Sequence, residues 1–246
     1  MKSTPEFLRK TIDAAKANLV PGLVLQGVAL AIVVAYFLHA PSRALFEDIA
    51  EFKARVGLPF ALVVTSITAG VIPLMLQRLR GGDAPREKWA HLPFFLLFWA
   101  FIGLMVDLFY KFQARIFGDN ADFATIVYKV VIDQILFTPF IAMPLIVSAY
   151  AWKEHDFDIN RTRRSIRPHW YKTQVFPLLI TAWIVWIPTV ALIYTLPLAL
   201  QFPVQSVVQC LWVLLVMFMT KPQQTSAPRP DTHAEGQSIL ASSNSS

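Results

Sequence analysis

The sequence predicts an all-α, polytopic membrane bundle of about six transmembrane helices, and three observations predict it. Of 246 residues, 55% are hydrophobic and only 15% are charged, whereas roughly a quarter are charged in soluble domains. The apolar residues fall in long uncharged runs, each able to cross ~30 Å of hydrocarbon as a helix. The basic residues between those runs are unequally shared, as loops on the two sides of a membrane should be.

Residues 1–18 open the chain with Ser3 and Glu6 at capping-box spacing, and Phe7, Ile12, Ala15 and Leu19 follow at helical intervals. This segment reads as a short interfacial helix. No small-residue cleavage pattern follows it, and Glu6 and Asp13 interrupt a presequence-like basic pattern. Residues 19–40 and 57–77 are the first two predicted spans, and 91–106 is the third, continuing in register through "DLFYKFQAR". Residues 130–152 are the fourth. The run 173–220 holds 48 residues without a charge. As one helix it would be roughly 72 Å long, so it must fold back. "YTLPLALQFP", bracketed by Pro197 and Pro203, is the expected turn. Residues 19–220 therefore form the transmembrane domain, and the polar, Pro- and Ser-rich 221–246 reads as a disordered tail.

With six spans, sixteen basic residues share the side of the termini and six lie opposite. That places both termini on the cytoplasmic side. Trp89, Tyr150, Trp152, Trp170 and Tyr171 fall at span ends on that face, where an aromatic belt belongs.

The net charge of +6 is spread over loops, which argues against a nucleic-acid partner; the lipid bilayer and small solutes are the expected partners, and a homo-oligomer is compatible with them. A single cysteine, Cys210, excludes a disulfide framework. The histidines are scattered, and neither a Gly-rich phosphate loop nor an HExxH motif is present. No metal, no cofactor and no enzymatic activity are expected.

The charges inside the apolar runs are the candidate functional residues, because a carboxylate at mid-membrane costs about 2.5–3.5 kcal/mol or more. Asp107, Lys111 and Arg115 recur every fourth residue and stack on one helix face; Lys129 and Asp133 repeat that spacing, with Gln134 beside them. Facing each other near one membrane surface, the two groups would satisfy Asp133 through cationic neighbours. Two roles stay open for them: locking spans three and four together, or lining an aqueous path. Gln26, Gln77, Gln201, Gln205 and Gln209 are expected to bond between helices. Pro73, Pro139, Pro144 and Pro188 must free backbone carbonyls within spans.

The fourth span, "DQILFTPF", resembles the DQxxFxP signature of the Mpv-type family of mitochondrial inner-membrane and peroxisomal membrane proteins, through Asp133, Gln134, Phe137 and Pro139. Upstream, Gly103, Phe109, Tyr110, Lys111 and Arg115 resemble its Gly–aromatic pair–Lys–Arg segment, and Gly70 and Gln77 resemble its Gly-x-x-Asp-x-x-x-Gln helix. Trp183, Trp186 and Pro188 echo its Trp-x-x-Trp-Pro stretch, and "VVQCLW" is similar to the start of its last helix. The likeness covers about residues 58–220. Pro73 stands where that family has Asp, Leu104 where it has Pro, and Ile187 separates the Trp from its Pro. The resemblance implies a divergent member, compatible with a bacterial inner membrane as well as an organelle, and a channel-like protein passing small solutes or metabolites.

Overall fold

The computed structural model describes residues 6–79, 89–166 and 169–219, and these are helical, with no strand among them. Among the described residues, six helical stretches are long and apolar enough to cross a membrane: Asn18–Leu38, Leu58–Arg78, Trp89–Phe117, Phe123–Glu154, Tyr171–Ile193 and Leu198–Leu215. Within these spans, Leu97 and Phe140 are 74% and 69% exposed. In water such a surface would aggregate; against acyl chains it is the expected exterior.

Helix α1 (Glu6–Leu38) is continuous, so the opening segment and span one are one helix rather than two elements. It packs along α9 (Phe176–Ile193), where a Cβ on Gly22 would stand 2.8 Å from Cγ2 of Val185. Close approach is what this glycine provides. Leu25, Ala29 and Val33 of α1 meet Val185 and Ile193 of α9 and Val204 and Val208 of α10 (Leu198–Met219) in one apolar core.

Helix α2 (Ala40–Val56) fills what the sequence reading left as a loop. His39 caps it by accepting from the Ser42 N–H at 3.3 Å. It ends at Gly57, whose φ of 71° is open only to glycine without strain. Its one buried residue is Lys53.

Span two is α3 (Leu58–Thr65) and α4 (Ile72–Leu79), joined by a π-helical turn over Ser66–Val71. It crosses α5 (Leu92–Phe117) at Gly103, where an added Cβ would collide with the Thr65 side chain and the Ala61 carbonyl. Span four joins α6 (Phe123–Val131) to α7 (Met143–Glu154) through eleven π-helical residues, Ile132–Ala142. The short α8 (Ile159–Ser165) follows. Between α9 and α10 the chain turns at Thr195–Pro197. Pro203 lies inside α10, beyond its first turn, and does not bracket the fold-back. Of the expected belt, Trp89, Trp152 and Tyr171 are 36–50% exposed, whereas Tyr150 packs inward against Phe98, with ring centroids 5.9 Å apart.

Candidate functional site: a polar column opening on an intramembrane cavity

Asp107 is 1% exposed and is held by two lysines. Lys111, one turn on, lies 2.6 Å away, as the spacing predicts. The second partner, Lys53 at 2.8 Å, comes from α2. Its ammonium also lies 5.1 Å from the Phe202 ring centre. Burial lowers the Lys53 pKa; the hydrogen bond and charge of Asp107 oppose that, and Lys111 reinforces it. Arg115 is exposed and joins no ion pair among the described residues.

The expected Lys129–Asp133 pair is not made. Lys129 is 1% exposed and its ammonium has no hydrogen-bond partner among the described residues. Tyr194, from the α9–α10 turn, stands between the two groups. Its hydroxyl donates to Oδ2 of Asp133 at 2.7 Å, and its ring lies 5.8 Å from the Lys129 ammonium. Oδ1 of Asp133 accepts from the Gln134 amide at 3.1 Å and the Thr138 hydroxyl at 3.3 Å. Thr138 reaches it because five residues make one turn of a π-helix. Asp133 is thus satisfied by neutral donors rather than by cationic neighbours. Nor does it lie at the mouth of its span: α6 begins at Phe123, which puts Asp133 about 15 Å along the helix. Gln113 completes the column by donating to the Tyr194 hydroxyl at 2.9 Å, and Tyr110 packs edge-on against Tyr194 at 5.5 Å.

Asp122 caps α6. Its carboxylate accepts from the Thr125 hydroxyl at 2.7 Å and the Thr125 N–H at 3.1 Å. These two bonds hold its pKa below the usual carboxylate range.

The prolines explain the rest of the site. In a π-helix the carbonyl of residue i accepts from the N–H of i+5, as Thr138 does from Met143. Pro139 therefore leaves the Gln134 carbonyl empty, and Pro144 leaves that of Pro139 empty. The Trp183 indole donates to the first at 2.8 Å and the Tyr171 hydroxyl to the second at 3.0 Å. In α9, Pro188 frees the carbonyl of Ile184 four residues earlier, and the Gln26 amide of α1 donates to it at 3.0 Å. These three freed carbonyls are met from neighbouring helices, as the bilayer interior requires.

Next to Asp133 and Gln134 lies a cavity of about 140 Å³ between α5, the span-four π-helix, α9 and α10, bordered also by Tyr110, Trp186, Gln205 and Gln209. A smaller one of about 40 Å³ shares Gln205 and Gln209 and reaches Gly103 and Ser206. Phe137 stacks on Phe109 at 3.9 Å beside the larger cavity. Gln201 is spent within the fold, donating to the Leu196 carbonyl at 2.9 Å. Gln77 and Pro73 border a separate cavity next to Gly70. Among the described residues, no group of three or more His, Cys, Asp or Glu side chains is arranged to hold a metal.

Sequence reasoning missed α2 as the source of Lys53, and it missed Tyr194, Gln113 and Thr138. Only Thr138 left a usable signal, its place beside Pro139 in a stretch with two prolines five residues apart. The fold and site define an integral, multi-pass α-helical membrane protein with a polar interior. No family model, curated protein or solved structure matches the chain.

Proposed function

We propose that this protein is a membrane channel that passes small solutes between spans three to six, with both termini on the cytoplasmic side and no enzymatic role. One observation carries the reading: the Asp133 carboxylate, inside a helical bundle, borders a cavity of about 140 Å³. One water needs about 10–15 Å³, so the cavity accommodates several waters or a small organic molecule. Intramembrane carboxylates facing such spaces mark solute and ion paths by default. The resemblance to the Mpv-type channel-like proteins supports the same reading, since Asp133, Gln134, Phe137 and Trp186 of the resembling motifs border this cavity, and Trp183 bonds the Gln134 carbonyl behind it. The Lys53–Asp107–Lys111 cluster belongs to the same end of the bundle, where it sets the charge met by an entering solute.

Uptake of charged and neutral tracers into proteoliposomes tests the proposal. Protein-dependent uptake, altered in its charge selectivity by Lys111→Ala or Asp133→Asn, is the expected result. Equal leak with and without protein overturns it. A second reading, a non-transporting scaffold, is favoured by the interhelical bonds that occupy the carbonyls freed by Pro139, Pro144 and Pro188. It predicts that the same two substitutions lower thermal stability and leave permeability unchanged.

A further inference from the structure

We propose that the cavity beside Asp133 is a binding site for a small organic cation of the primary alkylammonium class, its N–H donors on Asp133 and its apolar body against the aromatic wall. This deepens the channel reading and rests on it for the claim that the ion moves on.

The carboxylate has about four lone-pair sites. Gln134 and Thr138 take two on Oδ1 and Tyr194 takes one on Oδ2, which leaves one acceptor site on Oδ2. No basic side chain among the described residues pairs with this carboxylate, and Lys129 lies over the Tyr194 ring instead. Gln134, 3% exposed and also lining the cavity, carries a buried side-chain oxygen with no donor. The buried side-chain oxygen of Gln205, on the α10 wall, has none either. Residues that line the cavity therefore carry three unsaturated acceptors. An alcohol or an anion would satisfy them poorly, whereas an ammonium brings three donors and one positive charge.

The remaining wall fits the rest of such an ion. Trp186, Tyr110 and Trp99 line the space, and aromatic faces attract ammonium groups by about 0.5–2 kcal/mol, most when desolvated. The Trp99 indole turns its Cδ1 edge toward Gly70 of span two. An inorganic cation would gain from the acceptors and the rings but has no apolar body to bury against this wall.

The test uses the full-length chain in detergent micelles at neutral pH. Intrinsic tryptophan fluorescence and thermal unfolding are followed during titration with n-propylammonium chloride, sodium propionate or 1-propanol at matched ionic strength. Saturable change and a raised Tm with propylammonium alone are expected. Asp133→Asn should weaken the affinity at least about tenfold, as loss of a buried charge partner does. Gln205→Leu, which leaves Asp133 untouched, should weaken it about threefold or more, the loss of one hydrogen bond. An equal response to propanol, a response to propionate, or no saturation by propylammonium overturns the proposal. If Asp133→Asn fails to fold, unchanged affinity in folded Gln205→Leu overturns it as well. Uptake of neutral tracers without propylammonium binding removes this site and leaves the channel; binding without uptake of any tracer keeps the site and removes the channel.

Discussion

Asp107→Asn is the sharpest probe of how the bundle holds charge. The substitution keeps the shape and removes a carboxylate that is 1% exposed and paired at 2.8 Å with Lys53 and 2.6 Å with Lys111. Lys111 is 41% exposed at its side chain, so its share is that of a surface pair, about 0–1 kcal/mol. Lys53 is 8% exposed and would be left as a buried, unmatched cation, for which about 3–5 kcal/mol is usual. The loss is partly relieved because Lys53 can give up its proton. Its pKa already lies below the ordinary lysine value through burial, and Asp107 supplies the two influences that hold it up. Between the lowered folded value and the unfolded one, the unfolded chain binds more protons, so stability rises with pH there. In Asp107→Asn that window widens toward neutral pH. The expected loss at pH 7 is about 3 kcal/mol, or a Tm lower by about 6–12 °C at 2–4 °C per kcal/mol. Thermal unfolding in micelles, run as a double-mutant cycle with Lys53→Met, is the assay. The double variant should recover most of the loss, because an apolar replacement of a buried pair is often close to neutral. A Tm within 2 °C of the parent, additive single effects, or a loss that does not shrink on raising the pH toward 9 would refute the reasoning.

Tyr194→Phe removes the donor on Oδ2 of Asp133 and the acceptor of Gln113; stability measured in micelles should fall by about 2–3 kcal/mol, the range for a hydrogen bond to a charged group. Trp183→Phe empties the Gln134 carbonyl again at about 1–3 kcal/mol, and Pro139→Ala should suppress that loss in the double variant by restoring an N–H to the same carbonyl. Gly103→Ala forces a methyl into Thr65 and the Ala61 carbonyl, and should lower the Tm by the equivalent of about 1–3 kcal/mol, whereas Gly27→Ala, which meets nothing within 4 Å, should not.

The spans were legible because lipid imposes length and apolarity on a contiguous run of residues, and even the fold-back in the 48-residue stretch followed from length alone. The site was less legible for two physical reasons. Local spacing finds partners on one helix, and it found Lys111 for Asp107; Lys53 lies on a different element more than fifty residues earlier. Spacing also assumes an unobstructed face, and Tyr194, sixty-one residues after Asp133, occupies the space between Lys129 and the carboxylate. A tyrosine in a turn between two apolar helices carries no mark of that role. The glutamines were legible as interhelical bonding groups in kind: Gln26 does bond across helices, and its acceptor is the carbonyl freed by Pro188.

That last point explains why the carboxylate, the prolines and the cavity occur together. Two prolines five residues apart, Pro139 and Pro144, remove two N–H donors from span four, so two carbonyls are freed in either helical register and must be met from elsewhere in hydrocarbon. The π register with its wider turn brings Thr138 beneath Asp133, and the stranded carbonyls of Gln134 and Pro139 pull Trp183 and Tyr171 across from span five. Holding spans four and five together through these two bonds also fixes the gap between them at the level of the carboxylate. If the order of cause is proline first and cavity second, replacing both prolines with alanine should shrink or close the cavity, and fluorescence at Trp186 should lose its response to propylammonium while the fold persists.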